Sequence, residues 1–403
     1  MSSSSGSDWC NDDGTNMSLN DDESLNSFIS DYSFLDDEEE DEYDQLLNAL
    51  MEEYNHVYGV VDEELEFGKR FVISDFSDSY CIKNFRFRKT DLKQLANQLW
   101  PKISNYLYHD DEKIITLQNR YKAPYETCLC LYLYRLSYTR RIAYDMEKQF
   151  GMRRTHIGAA LKTFGEALME VSIRYLSNVG IWKDRMQLYA DAVYEKTGLL
   201  DNIWGFIDCT IRKVCKPTYF QRSVYTRYKK IHALKFQSIV VPEGYIASLT
   251  GPYLGRTHDA RIMRESGLLE MLRSILPMGM GVDGVFALYG DGAYPICPHI
   301  LKGYHNPHPD SAEAAFNRAM STARISVEWG FSMVANLWSF VDFSQQMKIF
   351  HTSPAQYYLN AAFFTNCHCA FYGNITSNYF KIPPQGIDDY LSLVPDKEFE
   401  VGV

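Results

Sequence analysis

Apolar positions are sparse at the start of the chain and become periodic further on. Residues 1–42 are rich in Ser, Asn, Asp and Glu and include the acidic run Asp36–Glu42, so they bury too little to offset the entropy of ordering. Between 43 and 61, Leu46, Leu47, Leu50, Met51 and Tyr54 recur at helical spacing, which predicts a short amphipathic helix ending a disordered arm. A solvated tail, a docking peptide and a mimic covering a basic groove are the readings open for this arm. From Asp91, the stripe Leu92, Leu95, Ala96, Leu99 predicts a helix that stops at Pro101. Further helices are expected at Cys128–Leu136, Tyr138–Phe150 and Arg153–Val171. The last two, separated by Gly151-Met152, form a helix-turn-helix-like pair that presents Arg153 and Arg154 at the start of its second helix. A plain structural hairpin is the alternative.

After Trp182 the period shortens. Ile203–Ile207, His232–Val241, Tyr245–Leu249 and Val285–Tyr289 read as strands, the middle two joined by a Pro242-Glu243-Gly244 turn. Helices are predicted over Ala260–Leu276, 320–338 and 354–371. Strands interleaved with and followed by helices predict an α/β fold with one mixed sheet. The divisions are an acidic arm at 1–66, a helical region at 67–180, the α/β domain at 181–375 and a tail at 376–403.

Charge divides along the same line. The chain has 403 residues and a net charge of −12, yet 21 of its 52 acids fall in 1–66, which has no Lys or Arg. The remainder holds 31 acids against 40 bases, a net of +9. An acidic arm is thus joined to a basic body, which keeps nucleic acid among the partners. No apolar run is long enough for a membrane helix, and the N-terminus lacks the features of a secretion signal. The nine Cys lack a second pair at zinc-finger spacing, so reduced, buried thiols in an intracellular protein are expected, with structural zinc as the alternative.

Two of the apolar strands run directly into an acid, Asp208 and Asp291. In open α/β sheets the chemistry gathers at the carboxyl ends of strands. A third acid, Glu328, lies on the stripe Arg324, Val327, Phe331, Val334, one helical turn after Arg324. A carboxylate on an apolar stripe requires a counter-charge. Arg324 can supply it, or a divalent cation shared with Asp208 and Asp291 can. Hard oxygen donors suit Mg²⁺ or Mn²⁺, and two such ions about 3.5–4 Å apart serve phosphodiester cleavage. Between the first two acids, Thr210–Val241 contains Arg212, Lys213, Lys216, Arg222, Arg227, Lys229, Lys230 and Lys235 but no Asp or Glu. Tyr219, Phe220, Tyr225 and Tyr228 are interleaved with them. Such a run suits a phosphodiester backbone, a solvated face being the bland reading.

Taken together, these segments resemble the PIF/Harbinger DDE transposases and their domesticated nuclease relatives. The resemblance rests on Gly205-Phe206-Ile207-Asp208-Cys209-Thr210, Tyr228–Gln237, Gly251-Pro252-x-x-Gly255-Arg256-x-His258-Asp259-Ala260, Tyr289–Pro295 and Phe316–Phe331, and covers about residues 200–371. It implies an RNase H-like mixed sheet flanked by helices, with Asp208, Asp291 and Glu328 as catalytic, metal-binding triad. His258, Asp259 and Arg324 fall on supporting positions. Asp259 and Asp283 compete with Asp291 for the second place; Asp291 is preferred because it follows an apolar strand. Cys209 stands where the family often has Gly, which leaves the acids in place. Also implied are a divalent cofactor, DNA as substrate, a Myb-like DNA-binding partner, a homo-oligomer and a nuclear location, with the cytoplasm also open. A domesticated DNA- or chromatin-binding protein without cleavage, and a nuclease acting on RNA, are the alternatives.

Overall fold

The computed structural model describes residues 71–139, 143–276, 285–349 and 351–396. The acidic arm, its short helix and Asp283 lie outside the described residues. The described part belongs to one compact unit.

Helices α1 (Asp78–Phe85) and α2 (Lys89–Ile103) open it, followed by a hairpin of β1 (Ile114–Thr116) and β2 (Lys122–Pro124). Helix α2 runs through Pro101 rather than stopping before it. Proline there falls in the last turn, where few downstream bonds remain to be lost. Helix α3 (Tyr125–Ser137) follows and is buried on nearly all sides. Among the described residues helix α4 spans Ala143–Phe150, and Tyr138, the expected start, is extended backbone. After a turn at Gly151, whose φ is 61°, α5 (Arg154–Leu176) continues past the expected end at Val171. A further helix, α6 (Met186–Thr197), has no counterpart in the sequence reading. Its buried Met186, Tyr189, Ala190 and Val193 are interspersed with half-exposed Leu188 and Tyr194, which blurs the apolar stripe.

The sheet strands are β3 (Ile203–Lys213), β5 (Ile231–Val240), β6 (Ile246–Leu254), β7 (Ala287–Gly290) and β8 (Ile300–Lys302). A short α7 (Gln221–Val224) and β4 (Tyr225–Thr226) precede β5 and pair against its start. The spatial order is β6-β5-β3-β7-β8. The first three form an antiparallel meander, and β7 and β8 run parallel to β3. The expected single helix over 260–276 is two, α8 (Asp259–Glu265) and α9 (Leu268–Ile275), because Gly267 takes the left-handed conformation between them. The long α10 (Ala312–Leu337) crosses β3 and β5, with Gly330 placed so that an added Cβ would lie 2.9 Å from Val240. After α11 (Ser339–Asp342) comes α12 (Pro354–Tyr372), which packs on both α5 and β6. Within the segment 375–396, α13 (Ile375–Phe380) and α14 (Ile387–Ser392) return to the body, where Tyr390 stacks on Tyr245 at 5.0 Å.

One buried ion pair ties the sheet to the start of α6. The turn Pro242-Glu243-Gly244 joins β5 to β6 as expected, but Glu243 is fully buried. It accepts hydrogen bonds from Arg185 at 2.5 Å, Tyr189 at 2.6 Å and the Gln385 backbone at 2.9 Å. A buried carboxylate is tolerable only with such partners. The meander, α6 and the segment before α14 are therefore held at one point.

Candidate active site

Asp208 lies in the middle of β3, not at its end as expected, because β3 continues in register with β5 as far as Lys213. The neighbouring β7 is what ends. The last pair of the parallel β3–β7 ladder is Ile207 with Gly290, so Asp208 and Asp291 each follow that pair by one residue. The third acid arrives from α10, which packs across β3 and carries Arg324 and Glu328 one turn apart.

Arg324 stands among the three acids. Its Nη1 donates to Asp208 Oδ2 at 2.8 Å, and its Nη2 lies 3.6 Å from Glu328 Oε1. The other Asp208 oxygen accepts from the Cys209 backbone N–H at 2.7 Å, and Asp291 accepts from the Ala293 N–H at 3.0 Å. Burial raises the Asp208 carboxyl to about 7, and Asp291 and Glu328 push the same way, against Arg324 and the Cys209 N–H. Burial opposes the charge on Arg324, yet Asp208, Glu328 and Asp291 together hold its pKa above the ordinary value. When all are ionised, three carboxylates face one guanidinium, a local excess of negative charge.

The remaining acid of the motifs is placed differently. Asp259, the first residue of α8, accepts from Lys235 Nζ at 2.7 Å. Its carboxylate acts on the Cys209 thiol and the Tyr294 phenol, whose sulfur and oxygen are 3.3 Å apart. Burial, then Asp259, keeps that thiol protonated well above the ordinary range. Asp208, Asp291 and Glu328 thus share Arg324, whereas Asp259 has Lys235. Ser238, opposite Asp208 in the β3–β5 ladder, is fully buried with its hydroxyl unpartnered, and the sequence reading missed it. Among the described residues, no three carboxylate, imidazole or thiol groups are gathered at the spacing of a formed metal centre.

The basic residues divide. Arg212 is buried, not on the basic face: its Nη2 donates to the Phe331 carbonyl at 3.1 Å, and its guanidinium lies over the Tyr358 ring. Strand alternation explains this, since Arg212 shares the Phe206 and Asp208 face of β3, against α10. Lys213, Lys216, Arg222, Arg227, Lys229 and Lys230 are exposed. Lys216, Arg222, Arg227 and Lys235 line a cleft of about 920 Å³ together with His232, Arg256 and His258. Arg256, which the sequence reading quoted in a motif but gave no DNA-binding role, is brought across from beyond the end of β6. Among the described residues, no carboxylate lines the cleft. Arg153 and Arg154 are exposed at the start of α5 and do not line it.

An antiparallel meander followed by two strands parallel to its first, flanked by helices, is the RNase H-like class of fold, here with carboxylates at the end of the central parallel ladder. Residues 207–366 match the family described as DDE superfamily endonuclease, so that segment is similar to a DDE-type, transposase-derived nuclease domain. No curated protein and no solved structure matches the chain. Among the described residues, no helix is long and apolar enough to cross a membrane.

Proposed function

We propose that this protein is a divalent-metal-dependent DNA endonuclease of the Harbinger-like DDE type, cutting phosphodiester bonds at transposon ends, with strand transfer by the freed 3′-hydroxyl. The supporting observation is the convergence of Asp208, Asp291 and Glu328 around Arg324 at the end of the β3–β7 ladder. The donor set fits the metal: hard carboxylate oxygens in negative excess, one of them raised in pKa by burial and by its two acidic neighbours. Mg²⁺ or Mn²⁺, as one or two ions, would be held by these three acids. Such ions stabilise charge on a phosphoryl group and lower the pKa of water.

The chain's own groups do the rest. Arg324 holds Asp208 and Glu328 in place through its two nitrogens. The Lys235–Asp259 pair, with His258 beside it, fixes the start of α8 against β5. The exposed cations between 213 and 230, with Arg153 and Arg154, track the DNA backbone. The test is incubation with DNA carrying the inverted repeats that flank the coding sequence, in Mn²⁺. Cleavage should fall by about 10³-fold or more in Asp208→Ala and Glu328→Ala. Cleavage that survives both substitutions rejects the assignment. By the same reading the protein works in the nucleus, with a Myb-like DNA-binding partner and a second copy of itself.

A second reading is a domesticated protein that binds DNA or chromatin without cutting it. Its support is Arg324, whose guanidinium supplies the acids with a cation of their own. Calorimetry on the full chain separates the two. Mg²⁺ or Mn²⁺ binding lost in Glu328→Gln favours the nuclease, and intact DNA binding with no metal heat favours the binder.

A further inference from the structure

The cleft beside α7 and β4 has chemistry that contact with a DNA backbone does not require. Its walls combine cations from three chain segments with the rings of Tyr225 and Tyr228. Tyr228 is 82% exposed, and Tyr219 and Phe220, a few residues earlier, are also largely exposed. Three such rings exposed within ten residues form a cluster rather than scattered surface aromatics. The Tyr225 ring is braced against His232, with centroids 5.3 Å apart, so it forms a fixed wall. Gly255 lets the floor close: a Cβ there would lie 2.6 Å from two backbone oxygens, those of Ala233 and Val224.

In a paired duplex the base faces are hidden in the stack, so a tyrosine face at the backbone has nothing to cover. Unpaired bases do expose their faces, and an aromatic ring beside Arg or Lys is the usual platform for them. The cleft volume of about 920 Å³ falls in the range of sites for small molecules, the scale of one or two nucleotides. It lies along the same two strands as Asp208. Lys235 reaches from the cleft to Asp259, which acts on the Cys209 thiol directly after Asp208. Along β5, Lys235 and Ser238, the ladder partner of Asp208, lie three residues apart with their side chains on opposite faces of the strand. That is about 10 Å of strand, or about three stacked nucleotides.

We propose that this cleft is a pocket for one or two unpaired nucleotides of the DNA substrate, with a base stacked on Tyr228 and its phosphate held by Arg227 and Arg256. It rests on the reading of the protein as one that acts on DNA. The pocket makes locally opened DNA, rather than continuous duplex, the preferred substrate near the cut.

The test measures binding without cleavage. Full-length Asp208→Asn protein in EDTA is titrated with a duplex of random sequence and with the same duplex carrying three unpaired nucleotides, one of them 2-aminopurine. The unpaired site should bind about tenfold more tightly, with quenching of the 2-aminopurine fluorescence on stacking. Tyr228→Ala should abolish that preference and the quenching while leaving duplex affinity unchanged, and Tyr228→Phe should retain both. Tyr228 is exposed, so its truncation leaves the core intact. Equal affinity for the two DNAs overturns the pocket, as does a Tyr228→Ala variant that weakens both equally. Preference without cleavage by the unmodified protein supports the pocket and rejects the nuclease; cleavage without preference does the reverse.

Discussion

Two clusters of charge meet along β3 and β5, and they are built in opposite ways. The acids come from a strand interior, a strand end and a long helix, and each is partly buried and oriented by a specific partner. The cations are mostly exposed and come from a loop, a short helix and the returning end of β6. Burial makes the acid cluster sensitive to a single charge, since low dielectric strengthens every interaction there. Exposure makes the cations individually weak and collectively useful. The first arrangement suits chemistry at one point, and the second suits adhesion over a length of backbone.

The largest effect that sharpens this contrast is the dependence of stability on pH. The folded Asp208 carboxyl titrates at about 7, above the 3.8 of an unperturbed group. Between those values the folded protein binds more protons than the unfolded chain, so stability falls as pH rises through that window. Asp208→Asn removes the effect. In EDTA the variant should gain on the parent between pH 4 and pH 8, by up to about 4 kcal/mol. Taking the difference cancels other groups, including the buried His368, which burial depresses to about 3. Urea unfolding at pH 4, 6 and 8 reads it directly. A gap that is constant with pH would mean that burial leaves Asp208 unstrained and that the two clusters differ less than their geometry implies.

This contrast was legible in the sequence unevenly. The three acids were visible because each follows or interrupts a regular apolar pattern, and the β5–β6 hairpin because Pro-Glu-Gly punctuates two β-rich runs. The position of Asp208 in mid-strand was not, since where a strand ends depends on its neighbour: β7 stops while β3 and β5 continue. Arg212 looked like one more cation in a basic run. Its even spacing from Phe206 and Asp208 was the signal that it points inward. The cleft was least legible, because Arg227 and Arg256 are joined only by the fold-back of β6. Helix α6 escaped because Leu188 and Tyr194 put apolar side chains on its outer face.

Next in size is the additivity expected of the cations. Arg227→Ala and Arg256→Ala should each weaken duplex binding several-fold, and each should lower the slope of log affinity against log salt by about one. Arg212→Ala should behave differently. It removes a buried group that holds the Phe331 carbonyl and lies over Tyr358, so the loss should appear as a lower melting temperature with an unchanged salt slope. Fluorescence anisotropy across a salt series, with thermal unfolding of each variant, makes the measurement. A salt slope that changes in Arg212→Ala would return that residue to the DNA face.

The smallest effect concerns the acidic arm, whose 21 carboxylates oppose a body of net charge +9. If the arm competes with DNA for the exposed cations, the attraction is between solvated charges and falls off over a Debye length of about 10 Å at 0.1 M salt. Removing residues 1–66 should then tighten DNA binding a few-fold at 50 mM salt and leave it unchanged at 300 mM. The acid cluster, already partnered by Arg324, should be indifferent, so the pH dependence of unfolding between pH 4 and 8 should survive the truncation. Equal affinity with and without the arm at low salt would leave the cations open to DNA at all times. A changed pH profile would instead place the arm's influence at Asp208.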